Sequence, residues 1–186
     1  METIKHSLAE KITKNTKHWI RSFVIQFNLC PFAKRVFDAD QIRYVVSSET
    51  TNASLLTQLY DELQLLRTDK SIATSIMIIP DTLKKFDDYL EFLEYAEELF
   101  KEYAYQGEFQ IASFHPDYKF ADENSYSLKH YTNRSPYPMV HLLRESDVEM
   151  ARQHYPDIEK IPHRNKITLE GLGESYIKRL IENASR

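Results

Sequence analysis

The sequence predicts a single globular domain of α/β (or α+β) class, a small three- to four-stranded sheet with helices packed on it. Three observations carry this. Helical and strand-like hydrophobic periods alternate along the chain as far as Phe114. One run, Ile76 to Ile79, is continuously apolar and stops at Pro80, as a strand covered on both faces would. A length of 186 residues, with 42% hydrophobic and 28% charged side chains, suits one ordinary core and excludes a fibrous or largely disordered chain. The chain divides into an N-terminal helical segment 1–38, an α/β core 41–155 and a C-terminal segment 156–186.

Trp19, Ile20, Phe23, Val24 and Phe27 recur at three- and four-residue spacing and predict a helix with one apolar stripe. Pro31 holds Cys30 extended, so that helix ends near Asn28, and a helical turn follows through Phe32 and Val36. Gln41–Ser47 alternates as a strand. Asn52 is placed to cap a helix whose stripe is Leu55, Leu59, Leu63 and Leu66. Ser75–Ile79 is the central strand. Asp81 or Thr82 opens a long helix to about Tyr105, with stripes at Phe86, Leu90, Leu93 and Phe100 and at Phe92, Tyr95, Leu99 and Tyr103, so contact on two sides is expected. Gly107 closes it, and Glu108–Phe114 is a strand. The two crossover helices share one face of the sheet if both crossovers run the same way.

Asp117–Asn133 has no period and reads as a long loop, of the kind that carries function. Its aromatics and that of Tyr137 surround the candidate site. Met139–Arg144 reads as a fourth strand, with a helix as the alternative. Ser146 to Glu149 has capping-box form and opens a helix to about His154. A last helix runs from Leu169 or Gly173 to Ile181.

Lys and Arg total 24 against 28 Asp and Glu, a net charge of −4, with no basic run. A general nucleic-acid binder is therefore not expected. No apolar run has the roughly 20 residues of a membrane span, and the N-terminus lacks a signal-peptide core. With one cysteine and no internal disulfide, the expected location is the cytoplasm. Three glycines are too few for a phosphate-cradling loop of either common kind.

Residues of catalytic type gather in four stretches: N-L-C-P-F around Cys30, F-H-P-D-Y from Phe114, N-R-S-P-Y-P from Asn133 running into H-L-L-R, and P-H-R-N from Pro162. His115 and Asp117 stand two apart at a strand end, the arrangement of a general base with its orienting carboxylate. Arg134, with Asn133 and Ser135, suits a bidentate grip on a carboxylate or phosphate, and Arg144 and Arg164 are further candidates. Cys30 is a catalytic candidate only if a histidine, His115 or His141, stands beside it, because a helix C-terminus raises its pKa. No metal motif is present, although Cys30, His115, Asp117, His141 and His163 are free to converge in space. His6, His18, His130 and His154 read as surface residues.

These stretches, N-L-C-P-F, F-H-P-D-Y, Y-T-N-R-S-P-Y-P-x-x-H-L-L-R and I-P-x-R-N, resemble the bacterial and plant family called domain of unknown function 1415, over almost the whole chain. The resemblance implies a compact stand-alone protein and no particular activity. The functional expectation therefore rests on the residues. It is a small cytoplasmic enzyme acting on an anionic metabolite, with His115, Asp117 and Cys30 catalytic and Asn133, Arg134, Ser135, His141, Arg144 and Arg164 binding, all lining one pocket near the C-terminal ends of the first three strands. The alternatives are a non-catalytic binder of an anionic ligand and a Cys/His metal-dependent protein.

Overall fold

A computed structural model describes residues 2–155 and 157–184. Among them, seven α-helices surround a four-stranded mixed sheet in one α/β fold. Helix α1 (Glu2–Trp19) continues into a π-helical turn (Ile20–Ile25), and a short α2 (Ala33–Asp38) follows. Next come β1 (Ile42–Val46), α3 (Asn52–Thr68), β2 (Thr74–Ile78), α4 (Phe86–Glu102) and β3 (Phe109–Phe114). After the long loop, with its 3-10 turn at Leu128–Thr132, come β4 (Met139–Arg144), α5 (Glu145–His154), α6 (Ile161–Leu172) and α7 (Glu174–Ala184).

The strand order is β1-β2-β4-β3, with β1 parallel to β2 and β4 antiparallel to both its neighbours. Strand β2 is central and every one of its residues is buried. The alternation of its side chains sends Met77 and Ile79 to one face and Ile76 and Ile78 to the other. The first face is closed by α3 and α4, both on the same side. Leu55, Leu59, Leu63 and Leu66 are all fully buried there, against Tyr89, Phe92, Ala96 and Phe100 of α4. The Tyr89 hydroxyl ties the two strand ends beneath it, donating to Met139 O at 2.7 Å and accepting from Phe114 N at 3.0 Å. The second face is covered by α1, the π-helical turn, α6 and α7.

Several elements differ from the sequence reading. Thr51, not Asn52, caps α3, accepting from Ser54 N at 3.2 Å. Helix α4 begins at Phe86, because residues 80–85 form a bend in which Leu83 is left-handed (φ 54). It buries a single stripe, and Leu90, Tyr95 and Tyr103 are exposed. The capping box at Ser146 does not form, since α5 starts at Glu145 directly from the strand and has no side-chain cap. The C-terminal segment is helical from Ile161, with Pro162 in the first turn, where a missing N–H costs nothing. His130 is buried, with Nδ1 accepting from Phe120 N at 3.1 Å and Nε2 donating to Asn124 O at 2.9 Å, so it fastens the long loop rather than facing solvent. The side chain of His154 lies outside the described part. No helix among the described residues is long and apolar enough to cross a membrane.

Candidate functional site

The four polar stretches pair off two by two. F-H-P-D-Y and N-R-S-P-Y form a knot where β3 ends and β4 begins. His115 N donates to Asn133 O at 3.1 Å, and Asn133 Nδ2 donates to Ser113 O at 3.0 Å. Arg134 Nε donates to Tyr118 O at 3.2 Å while its guanidinium lies 4.3 Å from the centre of the Tyr131 ring. Ser135 Oγ donates to Tyr137 O at 2.6 Å.

His115 is enclosed in this knot. Its Nδ1 accepts from the backbone N–H of Asp117 at 2.9 Å, so Nε2 carries the proton and donates to Leu83 O at 3.0 Å. Burial between Phe86 and Tyr89 pushes its pKa below the ordinary value. The expected side-by-side pairing with the Asp117 carboxylate is therefore replaced by a bond to the Asp117 backbone, and the Asp117 side chain is exposed. A proline-bounded turn of this kind uses the imidazole to satisfy backbone groups.

The other two stretches also meet each other. Asn165 Nδ2 donates to Leu29 O at 2.7 Å and Arg164 Nη2 to Asn28 O at 3.0 Å, while Arg164 Nη1 donates to the Tyr155 hydroxyl at 2.6 Å. These bonds from α6 hold the N-L-C-P loop, whose Asn28 is left-handed (φ 51). Arg164 thus supports the loop that presents Cys30.

Arg144 sits at the opposite end of the sheet from His115, because β4 runs antiparallel to β3. It is buried, and its guanidinium donates to four carbonyls: Ile72 at 2.6 Å, Ala73 at 2.9 Å, Asp69 at 3.0 Å, and Leu66. A cation among the last carbonyls of α3 complements that helix end. One pocket lined by all the candidates is accordingly absent. His115, Asp117, Asn133, Arg134 and Ser135 form the knot, Arg164 backs a loop, and only Cys30, His141 and Arg144 share a concavity.

That concavity is a cavity of about 690 Å³ between the second sheet face and its helical cover, a volume in the usual range for small-molecule sites. Its floor is the inward row of strand residues, among them Ile42, Ile76, Ala112 and Leu143. Trp19, Ile20 and Val24 form one wall, Cys30 to Val36 a second, and α5 with Tyr155 a third. The floor is polar at three points, Thr74, Gln110 and His141. Arg35, Arg144 and Asp147 are the charged residues of the lining. Arg35 is exposed and has no ion-pair partner among the described residues, whereas Asp147 lies 3.8 Å from Arg144.

His141 is half-buried on this floor, with Nε2 at 2.6 Å from Thr74 Oγ1. The dry surroundings push its pKa down to about 4, so the imidazole is neutral. Cys30 is reachable by solvent at the cavity wall. Crowding by the wall nevertheless outweighs the amides of Phe32 and Ala33, and the thiol pKa is raised. Among the described residues, no three His, Cys, Asp or Glu side chains converge as a metal site.

Thr74, Gln110, Arg35 and Tyr155 were missed by sequence reasoning. For two of them a signal exists. Thr74 with Ile76 and Ile78, and Gln110 with Ala112 and Phe114, are polar residues on an inward strand row, where an apolar residue is the default. Comparison with known proteins adds one finding. A family model described as "Protein of unknown function (DUF1415)" matches residues 11–179. No curated protein and no solved structure matches the chain.

Proposed function

The chain belongs to the DUF1415 family, and from that premise we propose that this protein binds a small amphipathic anion in the cavity between its sheet and its N-terminal helices. The observation that carries this reading is the lining itself. An apolar floor and walls suit an apolar body, and the exposed Arg35 brings a positive charge to the lining, where Arg144 is taken up by carbonyls and Asp147. The Arg35 guanidinium, which has no ion-pair partner among the described residues, is the group that would meet the anionic end.

The ligand is read as bound cargo rather than as the substrate of a thiol nucleophile, on electrostatic grounds. Burial raises the Cys30 thiol pKa and pushes the His141 imidazole down to about 4, so proton transfer from the thiol to that ring is strongly disfavoured. An acid/base role for His115 meets a different obstacle, since both of its ring nitrogens are already engaged by backbone. A metabolic enzyme of the cytoplasm would need another base at the cavity floor.

Trp19 is the sole tryptophan and lines the cavity, so its emission reports occupancy without a label. Titration with decanoate and with 4-phenylbutanoate is expected to give a saturable change. Arg35→Ala should weaken binding by up to about fivefold, the range for one exposed charge–charge contact. If neither carboxylate saturates the signal, the reading fails.

A further inference from the structure

The floor of the cavity carries a finer inference, which rests on the binding reading above. Thr74 has a single hydroxyl proton, and its Oγ1 is held against both Leu142 O and His141 Nε2. A hydroxyl oxygen pressed against a carbonyl oxygen needs its proton between them, because a carbonyl has none to give. The Thr74 proton therefore goes to Leu142 O, and Thr74 Oγ1 is left to accept from His141. This fixes the tautomer: Nε2 carries the ring proton, and Nδ1 keeps a bare lone pair.

No group of the described residues donates to that lone pair. Nor is Nδ1 among the enclosed side-chain atoms that lack a partner, so it opens on the cavity that His141 lines. The imidazole is mounted on β4, in the middle of the sheet, and Thr74 holds it from β2. It is a preorganised acceptor on a rigid element. Its low basicity keeps the lone pair free of a proton at neutral pH.

We propose that His141 Nδ1 selects ligands that carry an O–H or N–H donor on their apolar body, a phenolic or hydroxylated amphiphile, over isosteres without that donor. A ligand lacking the donor covers Nδ1 with apolar surface and leaves a dry, unsatisfied acceptor. Sites built to bond a ligand hydroxyl reject such analogues far more strongly than apolar pockets reject a change of size.

The test compares 4-(4-hydroxyphenyl)butanoate with its methyl ether, 4-(4-methoxyphenyl)butanoate, by titration calorimetry. The phenol should bind at least about tenfold more tightly, and His141→Phe should reduce the preference to about twofold or less. Equal affinities in the wild type, or a preference that survives His141→Phe, overturn the inference while leaving the cavity reading intact. Absence of saturable binding by either compound overturns both. Should His141→Phe not fold, nitrogen NMR of the wild type replaces it. Nδ1 should resonate as an unprotonated nitrogen in the free protein and shift on adding the phenol but not the ether. A protonated Nδ1 in the free protein overturns the assignment.

Discussion

The two faces of the sheet are built from the same four strands and are finished differently. On one, α3 and α4 each lay a full apolar stripe on the strands. Glu62 of α3 is paired there as well, receiving Arg43 at 2.8 Å and Ser75 at 2.6 Å. On the other, the cover comes from a helix and a π-helical turn before β1 and from helices after β4, and it leaves about 690 Å³ unfilled above Thr74, Gln110 and His141. Helices that are also crossovers must follow the sheet, so they close it. Helices that do not connect two strands carry no such constraint and can stand off from it. A wide turn at a helix end is a common neighbour of functional sites, and here Ile20 and Val24 of that turn face the cavity.

Cutting into each face should give the largest contrast. Leu59→Ala removes a fully buried side chain from the closed face and should cost roughly 3–5 kcal/mol in denaturant melts. Ala112→Leu adds volume to the cavity floor and should change stability by less than about 1 kcal/mol while abolishing carboxylate binding. Comparable destabilisation by both would erase the distinction between a packed and an open face.

A smaller effect is expected from acid. The native imidazole of His141 titrates near 4 against an ordinary 6.5. As pH falls through 6.5, the unfolded chain takes a proton that the native state refuses. Stability held above 6.5 is then lost down to about pH 4, by up to roughly 3 kcal/mol. His115, also lowered, acts with the same sign. Denaturant melts between pH 7.5 and 4.5 should show the slope, and His141→Phe should flatten part of it. An unchanged slope in that variant would place the titration away from the open face.

The smallest effect belongs to the loop knot, which lies off the cavity. Arg134→Lys keeps the charge but loses the Nε bond to Tyr118 O and the planar stack on Tyr131. A loss of about 1 kcal/mol in stability, with no change in carboxylate affinity, is the expected result. Weakened binding in the absence of any drop in melting temperature would return Arg134 to a ligand-contacting role.

Much of the fold could be read from periodicity. The leucine row of α3 and the apolar run of β2 are wholly explained by burial on regular elements. The pairing partners of β4 could not be read, because its pattern states which face is buried but not which strands lie beside it. The site was harder for a related reason. His115 follows a strand end among polar residues and His141 lies within an apolar strand, and neither setting tells which of the two meets a cavity. Backbone groups of the turn close around the first, while a gap in the helical cover exposes the second. Arg144, read as an anion clamp, serves instead the carbonyls of residues more than seventy positions earlier. Nothing local in H-L-L-R announces that distance.

The strand order has a further consequence for how the chain assembles. Strand β4 lies between β2 and β3 but follows both in sequence, and its Arg144 completes the end of α3. During synthesis, β1, β2 and their crossover helix can pair as soon as they emerge. Strand β3 has no hydrogen-bonding neighbour until Met139–Arg144 arrives to join it to β2. The growing chain therefore carries the β1–β2 pair and an unpaired β3 until Met139–Arg144 has been made. One late insertion of long sequence separation zips them together and makes the cavity floor and the sheet in the same event.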